Sequence, residues 1–328
     1  MKTKLKISNK LPKHSLDTLE LTLDYFKDKT HAKQYYKAIR KKKTILKIQS
    51  IIDAIPNEPQ AQKRYWKTYH CNNIILQDGD KFTGSLCRKR WCTECCRIKT
   101  AELTNAYKEP IKAIGQLYFV TLTIPNIQAK QLEPTIAKMI KAFQLIKNNI
   151  RKTYNIKLNG MRKIETTYNE NSNTFHPHFH LIQDNLQASE LILSLWLKQF
   201  PQATHKAQDI REIDTSNDNS FIELFKYATK ETTKDGKQYT GDVLHTIYEA
   251  IKGKRIYQTY GTIKKVKAPI EALIEPMQLE YIQPQMEIWY YENNLIDWIT
   301  SNNELMINTL EIKNKIETQK LISLKSVH

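Results

Sequence analysis

The histidine-rich run at residues 176–182 constrains the fold of this chain more than any other feature. It contains three histidines that alternate with other residues. Side chains of a β-strand alternate between its two faces, so a strand here puts His178 and His180 on one face. Phe179 and Leu181 then point to the opposite face. The alternation predicts one strand of an amphipathic sheet, with imidazoles over one surface and apolar groups in a core.

The sequence around this strand predicts an α+β domain. In chain order, the predicted elements are a strand at 117–124, a helix opened by Glu133 and Pro134, strands at 161–167 and 175–183, a helix capped by Ser189, a short strand near 210–213 and a helix at about 219–232. The polar residues 169–174 predict a hairpin turn between the second and third strands. This order predicts an antiparallel sheet with helices packed on one face.

The histidine strand has the composition of a metal site. Two neutral imidazoles on one face can hold a divalent cation and leave positions for oxygen ligands. Glu165 is the candidate third ligand, because a turn centred on residues 169–174 brings it opposite His178 on the neighbouring strand. A register shift of one residue would send Glu165 to the other face. The alternative is a pair of surface histidines and a salt-bridged carboxylate without a metal.

The predicted helix at 219–232 carries a second cluster of reactive groups. At helical spacing, Glu223, Tyr227 and Lys230 lie within about 60° of one another, opposite the apolar side of the helix. A phenol is a weak nucleophile at its ordinary pKa and needs a nearby cation or base. Lys230 can stabilise the phenolate or a phosphate, and Glu223 can deprotonate a water. The same spacing occurs by chance on many helix surfaces.

The charge of the chain favours a polyanionic partner. There are 51 Lys and Arg residues against 34 Asp and Glu, a net charge of +17. Each phosphate that such a surface contacts releases condensed counterions. The alternative is a Lys-rich composition imposed by an AT-rich genome. Because we find no signal peptide and no apolar run of about 20 residues, we expect a soluble cytoplasmic protein without membrane association.

Four of the five cysteines lie between residues 87 and 96. The spacing Cys87-x4-Cys92-x2-Cys95 can wrap a tetrahedral Zn²⁺, with Cys71 as the fourth ligand and His70 or Cys96 as rivals. A redox pair or free thiols are the alternative. The loop also contains Trp91 and three basic residues, which a folded zinc knuckle would present to DNA. The loop residues predicted to contact DNA are Arg88, Lys89 and Arg90.

The order of three motifs resembles the HUH endonucleases, in the branch of rolling-circle plasmid replication initiators. These motifs are Phe119–Thr123, His176–Leu181 and Tyr227–Lys230. Cys87–Cys95 is similar to the cysteine box of that branch. Tyr248–Arg255 is similar to its basic segment after the tyrosine helix, which implies that Lys254 and Arg255 contact DNA. The resemblance spans roughly residues 70–262. The box usually has Pro where Thr93 stands here, which loosens the turn but leaves every thiol in place.

The resemblance implies an RRM-like antiparallel sheet and a nicking reaction. It implies that His178 and His180 bind Mg²⁺ or Mn²⁺, that Tyr227 is the nucleophile and that Glu223 activates the terminating water. The product would be a 5′-phosphotyrosine and a free 3′-hydroxyl primer. The implied partners are plasmid origin DNA in a single-stranded or hairpin form, a host helicase and a host polymerase. A homodimer is left open.

Four segments are predicted along the chain: a basic N-terminal segment at 1–64, a zinc-binding module at 65–100, the nickase domain at 101–262 and an α-rich C-terminal segment of unknown role at 263–328. A function from another class also accounts for the charge and the cysteines. In that alternative the chain is a non-enzymatic, zinc-dependent DNA-binding replication regulator. It leaves the shared face of His178 and His180 without an explanation.

Overall fold

The structure is a computed structural model, which describes residues 25–214, 225, 231–233, 235–266 and 286–325. The chain divides into two compact units. The larger unit comprises Leu46–Tyr69 and Arg88–Leu273, and the smaller unit comprises Met1–Ile45, His70–Cys87 and Ile274–His328. The sequence-based division into four consecutive segments differs from this one, because it groups only residues that are adjacent in the chain.

The described helices and strands are numbered along the chain. The helices are α1 Lys29–Ala54, α2 Pro59–Tyr69, α3 Thr93–Lys112, α4 Ala129–Thr153, α5 Leu186–Gln199, α6 Gly241–Ala250 and α7 Thr309–Lys325. The strands are β1 Ile74–Asp78, β2 Lys81–Gly84, β3 Leu117–Thr123, β4 Gly160–Asn169, β5 Thr174–Gln183, β6 Asp209–Ile213, β7 Tyr257–Tyr260, β8 Glu287–Glu292 and β9 Asp297–Ile299. The α1 helix lies within the predicted basic N-terminal segment.

The larger unit contains a five-stranded antiparallel sheet in the order β6-β3-β5-β4-β7. The chain order β3-α4-β4-β5-α5-β6 is the split βαβ arrangement of RRM-like domains, and β7 adds a fifth strand beside β4. The predicted α+β class is therefore confirmed. The predicted hairpin is confirmed as well, since β4 and β5 pair along their whole lengths.

One face of this sheet is covered by helices. Phe179 of β5 is fully buried, with its ring 6.1 Å from Phe143 of α4 and 5.6 Å from Trp196 of α5. Burial of one such side chain contributes about 2–3 kcal/mol, which holds β5 at the centre of the sheet. The alternating residues His178 and His180 consequently point to the opposite face. This surface is called the histidine face below.

The α4 helix begins earlier than the sequence predicts. It starts at Ala129, after the N-cap residue Gln128, whose backbone N–H donates to the side-chain oxygen of Gln131 over 3.3 Å. Glu133 and Pro134 therefore lie inside the helix and do not open it. Pro134 has no N–H to donate to the preceding turn, a loss that the packed apolar side of this long helix outweighs.

The α5 helix also has a different cap from the predicted one. The side chain of Asn185 accepts a hydrogen bond from the Ala188 N–H over 2.8 Å, and the helix begins at Leu186. Ser189 lies within the first turn, and its hydroxyl donates to the Asn185 carbonyl. Both residue types cap helices, but an asparagine placed before the first turn reaches the free N–H groups first.

The smaller unit contains a four-stranded sheet in the order β2-β1-β8-β9. The prediction of an α-rich C-terminal segment is wrong for residues 287–299, which form β8 and β9. These strands are too short to show a clear period in the sequence, and β8 pairs with β1, which lies more than 200 residues earlier in the chain. The helix α7 agrees with the prediction.

The predicted helix at about 219–232 falls largely outside the described residues. Within it the structure describes Phe225, which is helical, and residues 231 and 232. None of the helices in the described part of the chain is both long enough and apolar enough to cross a membrane.

Candidate metal centre

Two rows of side chains cross the histidine face. In one row Glu165 of β4 lies opposite His178 of β5, and in the next row Lys163 lies opposite His180. Directly opposed residues of an antiparallel pair point to the same side of the sheet. The register predicted for Glu165 from the hairpin turn is therefore confirmed.

The Glu165 carboxylate lies between the two imidazole rings. Its Oε1 atom is 3.6 Å from His178 Nε2, and its Oε2 atom is 3.6 Å from His180 Nε2. The ligand atoms of these three residues all lie within 4.8 Å of one another. Nitrogen and oxygen ligands bind divalent cations at about 2.0–2.2 Å, so one ion fits among atoms at these separations. The group is therefore a candidate metal centre.

The second nitrogen of each imidazole has a partner on the protein. His178 Nδ1 lies 3.0 Å from the carbonyl oxygen of His176, and His180 Nδ1 lies 3.4 Å from Thr121 Oγ1. Because a carbonyl only accepts, the His178 Nδ1–H donates to it, which leaves the lone pair on Nε2. Metal-binding histidines are commonly fixed in this way. His178 therefore presents to Glu165 the nitrogen that a cation requires.

Lys163 adds a buried positive charge beside Glu165. Its Nζ atom lies 3.0 Å from Glu165 Oε2, and both side chains are buried. Burial raises the pKa of Glu165, but contact with the His178 ring and the Lys163 ammonium holds it well below its usual range. The carboxylate is thus ionised at neutral pH. Lys163 is not among the predicted site residues, although its position two residues before Glu165 assigns it to the same face.

Phe225 packs against the histidine face of the sheet. It is fully buried in a cluster with Met161 and Ile182, which share that face with Lys163 and His180. The hydroxyl of Tyr257, which lies opposite Lys163 on β7, donates a hydrogen bond of 3.1 Å to the Phe225 carbonyl.

The three predicted catalytic residues of the tyrosine helix, Glu223, Tyr227 and Lys230, lie outside the described residues. Their predicted roles rest on the sequence.

Two cysteines of the predicted zinc site lie in each unit. In the smaller unit, the Cys87 N–H donates to Cys71 Sγ over 3.4 Å. In the larger unit, Cys92 is the N-cap of α3, and the Arg88 N–H donates to Cys95 Sγ over 3.3 Å. Backbone donors directed at sulfur stabilise the thiolate form that binds metals. Within each unit, one of the two cysteines thus accepts from a backbone donor, as a thiolate ligand would.

The two rival zinc ligands have other neighbours. His70 Nδ1 lies 3.1 Å from the side-chain nitrogen of Asn73, and the Cys96 thiol donates to the Arg90 carbonyl over 3.0 Å. Among the described residues, neither His70 nor Cys96 belongs to a candidate metal-binding group.

Trp91 is engaged in packing, which contradicts the expectation that it faces DNA. Its ring lies 4.9 Å from that of Tyr65 and 5.6 Å from that of Tyr248, and its indole N–H donates to Thr68 over 2.7 Å. A large aromatic ring inside a basic loop resembles a DNA contact in the sequence. Here the apolar contacts with α2 and α6 outweigh that role.

The five predicted DNA contacts differ in their surroundings. Arg88, Lys89 and Arg255 are exposed. The Arg90 guanidinium donates to the carbonyls of Ile251 and Lys254 over 2.7 and 2.6 Å. The Lys254 ammonium pairs with Glu133.

A further arginine that the sequence analysis missed lies next to this segment. The fully buried Arg162 donates to the Arg255 carbonyl over 3.0 Å. Arg90 and Arg162 together therefore bind the backbone of residues 251–255.

A sheet that holds two histidines and a glutamate on one face defines an α+β protein with a candidate metal-binding group. Comparison with known proteins identifies its family. The family model described as "Replication protein" matches residues 80–288, well over half of the chain. The chain therefore belongs to the replication protein family, in agreement with the resemblance that its motifs carry.

Curated relatives carry the same name. A protein from Bacillus sp. called "Protein rep" is 24% identical over 249 residues, which cover 63% of this chain and 81% of the relative. A "Protein rep" from Streptococcus pneumoniae serotype 2 is 25% identical over 224 residues, covering 60% and 68%. A "Protein rep" from Staphylococcus aureus is 25% identical over 185 residues, covering 49% and 80%. No solved structure matches the chain.

Proposed function

We propose that this chain initiates rolling-circle replication of a plasmid as an origin-specific, metal-dependent nickase. The Tyr227 oxygen bonds to the phosphorus of one phosphodiester, and the bond between that phosphorus and the 3′-oxygen breaks. The 5′ end stays on Tyr227 as a phosphotyrosine. The 3′-oxygen takes up a proton, and the resulting hydroxyl primes a host polymerase. The observation that carries the proposal is the group of His178, His180 and Glu165 on one face of the sheet.

The resemblance to HUH endonucleases implies Mg²⁺ or Mn²⁺ at this group, where the Glu165 carboxylate suits either ion and the two imidazoles favour a transition metal such as Mn²⁺. When bound, such an ion draws charge from the non-bridging oxygens of the scissile phosphate. The protein contributes a His178 ring held in one tautomer and an ionised Glu165 carboxylate. Two nitrogens and one carboxylate leave further coordination positions for phosphate oxygens and water. These features support a catalytic site in preference to a closed structural one.

Phe225 links the proposed nucleophile to this face. Its side chain is buried against the face, and its carbonyl accepts from Tyr257. Consecutive Cα atoms are about 3.8 Å apart, so two residues extend at most about 7.6 Å from the Phe225 Cα atom. Tyr227 follows Phe225 by two positions, which is about 200° around a helix, so the tether limits only its distance from the face and the assignment of its side chain rests on the sequence.

The roles of the two neighbouring charges follow from helical spacing. Lys230 stabilises the phenolate or the phosphate, and Glu223 later deprotonates the water or second nucleophile that releases the DNA. The phosphotyrosine keeps the energy of the cleaved bond, so the transfer requires no nucleotide hydrolysis.

The cysteine box binds a structural Zn²⁺ in this proposal. Its ligands are Cys71, Cys87, Cys92 and Cys95, and the backbone donors to Cys71 and Cys95 support thiolate ligation. The exposed basic residues of the box and of the segment at 251–255 contact the phosphates of origin DNA. A host helicase then separates the strands.

A covalent trapping experiment tests the nickase. Wild-type protein incubated with a single-stranded origin oligonucleotide and Mn²⁺ should give an adduct that survives denaturing electrophoresis, and Tyr227→Phe should abolish it. Tyr154→Phe is the matched control, because it removes an exposed phenol at the end of α4. It should form the adduct at the wild-type level. Adduct formation by Tyr227→Phe would refute the assignment of the nucleophile.

The same experiment tests the alternative function, a non-enzymatic zinc-dependent DNA-binding regulator. The net charge of +17 and the cysteine box favour it. Binding of the oligonucleotide by wild-type protein without any adduct, in the presence of Mn²⁺, would support the regulator and contradict the nickase.

A further inference from the structure

The solvent-facing side of α2 has an unusual composition. Lys63, Trp66 and Lys67 are all exposed there, at the spacing of one helix face. The opposite side of the helix, which carries Ala61, Tyr65 and Thr68, is buried. The outer face of this short helix is therefore aromatic and basic, while the inner face belongs to the core of the larger unit.

Trp66 is the exception among the tryptophans of this chain. The sequence contains five, and Trp66 is 42% exposed. Trp196, Trp289 and Trp298 are buried, and Trp91 packs against the core. Trp66 meets the ring of Tyr69 at 62°, with 5.1 Å between centroids. The exposed Trp66 ring lies between two lysines of the same helix face, and this combination of an aromatic ring with cations is the one that single-stranded nucleic acids bind.

The α2 helix holds this surface in a fixed position. The fully buried Tyr65 pairs through its hydroxyl with His245 Nδ1 at 3.0 Å. Arg64 binds the Glu249 carboxylate at 2.6 Å, and the side-chain amide of Gln62 donates to two carbonyls at the end of α1. A partner therefore meets a backbone that is already ordered, which lowers the entropic cost of binding.

We infer that Lys63, Trp66 and Lys67 form a stacking platform for single-stranded DNA. An unpaired base stacks on the Trp66 indole, and the two ammonium groups contact the phosphates on either side of it. Surfaces that bind single strands without reading their sequence combine these two elements. The inference deepens the proposed function and rests on it only for the source of the strand, which is the DNA opened at the nick.

The chemistry of the surface favours a single strand over a duplex. Both strands of a duplex offer phosphates to the lysines, but their bases are stacked on one another and expose no face to Trp66. A single strand offers phosphates and base faces together. The two nearby carboxylates have cationic or imidazole partners, since Glu249 binds Arg64 and Glu58 lies 3.3 Å from His245 Nε2.

Binding is tested in the full-length Tyr227→Phe variant without added divalent metal, so that no chemistry intervenes. The probe is a labelled oligothymidylate of about 20 nucleotides. Trp66→Ala should weaken binding roughly tenfold, and Trp66→Phe should recover part of the loss because it keeps a ring. The oligonucleotide should also quench the indole fluorescence that acrylamide can reach, a signal absent from Trp66→Phe.

Matched controls separate stacking from general charge. The double variant Lys63→Gln, Lys67→Gln loses two phosphate contacts. The slope of log affinity against log salt concentration should therefore become shallower by about 1.4. Lys130→Gln with Lys141→Gln removes the same charge from exposed positions of α4, and Leu145→Ala truncates an exposed apolar side chain there. Both controls should bind like the parent.

Three outcomes overturn the platform. One is equal loss of affinity in the two double-lysine variants, which would show net charge alone. Another is equal binding of an abasic oligonucleotide, which would show that no base stacks. The third is unchanged DNA binding by Trp66→Ala, which is also the result expected if Trp66 contacts a protein partner instead of DNA. If the platform is wrong, the wild-type protein still forms the Tyr227 adduct. If the wild-type protein forms no adduct while the oligonucleotide binds as expected, only the nickase is refuted.

Discussion

The histidine cluster and the cysteine box are both candidate metal sites, but the chain builds them differently. The histidine cluster takes its three ligands from two fully paired strands, and the backbone of the same sheet orients the His178 ring. The box takes its ligands from turns and from the start of α3. Its other side chains, Arg90 and Trp91, serve the packing of the larger unit.

This difference suits the histidine cluster to a site that stays open to a substrate, and the cysteine box to a site that stabilises the fold. Strand pairing positions ligands without enclosing the ion, which leaves coordination positions for a substrate. Four thiolates fill the coordination shell of zinc, so that zinc contributes to folding and not to chemistry. We therefore expect loss of a box ligand to act on stability, and loss of a histidine to act on catalysis.

The largest effect is expected from Cys95→Ser. The proposed zinc loses one of four thiolates, so bound zinc should fall from about one ion per chain to well below half. Because metal binding and folding are coupled, the free energy of unfolding should fall by several kcal/mol. Elemental analysis and thermal melting measure the two quantities.

Cys96→Ser is the matched control for the box. Its side chain donates to the Arg90 carbonyl, which a serine hydroxyl can also do. This variant should keep its zinc and most of its stability. Loss of zinc from Cys96→Ser but not from Cys95→Ser would reverse the ligand assignment.

The next effect is expected from His178→Ala. Removal of a ligand nitrogen should weaken Mn²⁺ binding and adduct formation by at least about 100-fold, the upper range for loss of an outer partner of a metal site. The melting temperature should fall less than in Cys95→Ser, because the residues next to His178 on its face are polar and the larger core cluster, which contains Phe179, lies on the other face. Calorimetric Mn²⁺ titration and the trapping assay measure the effect.

His176→Ala tests whether every imidazole on this face of β5 contributes to metal binding, or only those of the candidate group. The His176 side chain lies on the same face of β5, but it is outside the candidate group, and its carbonyl holds His178 Nδ1 whatever the side chain. Mn²⁺ binding should stay near that of the wild type. A loss equal to that of His178→Ala would mean that the metal lies nearer to His176.

The sequence predicts the histidine site well because strand geometry is periodic. Alternation over His176–Ile182 assigns each side chain to a face, and a polar turn of known length fixes the register of Glu165. Lys163 could have been found by the same rule. Because lysines are numerous in this chain, a single lysine on a strand is a weak signal by itself.

The box and the C-terminal strands show where such prediction fails. Trp91 and Arg90 have the composition of a DNA contact, and their packing roles depend on Tyr248 and on the carbonyls of residues 251 and 254, more than 150 residues away. In the same way, β8 is defined by its pairing with β1. Local patterns carry no information about partners at that separation.

The smallest effect is expected from Arg90→Lys, which tests whether the box supports the segment at residues 251–255. The Arg90 guanidinium donates to two carbonyls at once, and a single ammonium cannot reproduce that fork. We expect a loss of about 1–3 kcal/mol in the free energy of unfolding, measured by urea denaturation. Arg88→Lys is the matched control, because Arg88 is exposed and lysine keeps its charge, so stability should change by less than about 0.5 kcal/mol. Equal stability of the two variants would show that the fork contributes nothing. A large fall in DNA affinity for Arg90→Lys at unchanged stability would restore Arg90 to the DNA-contacting surface.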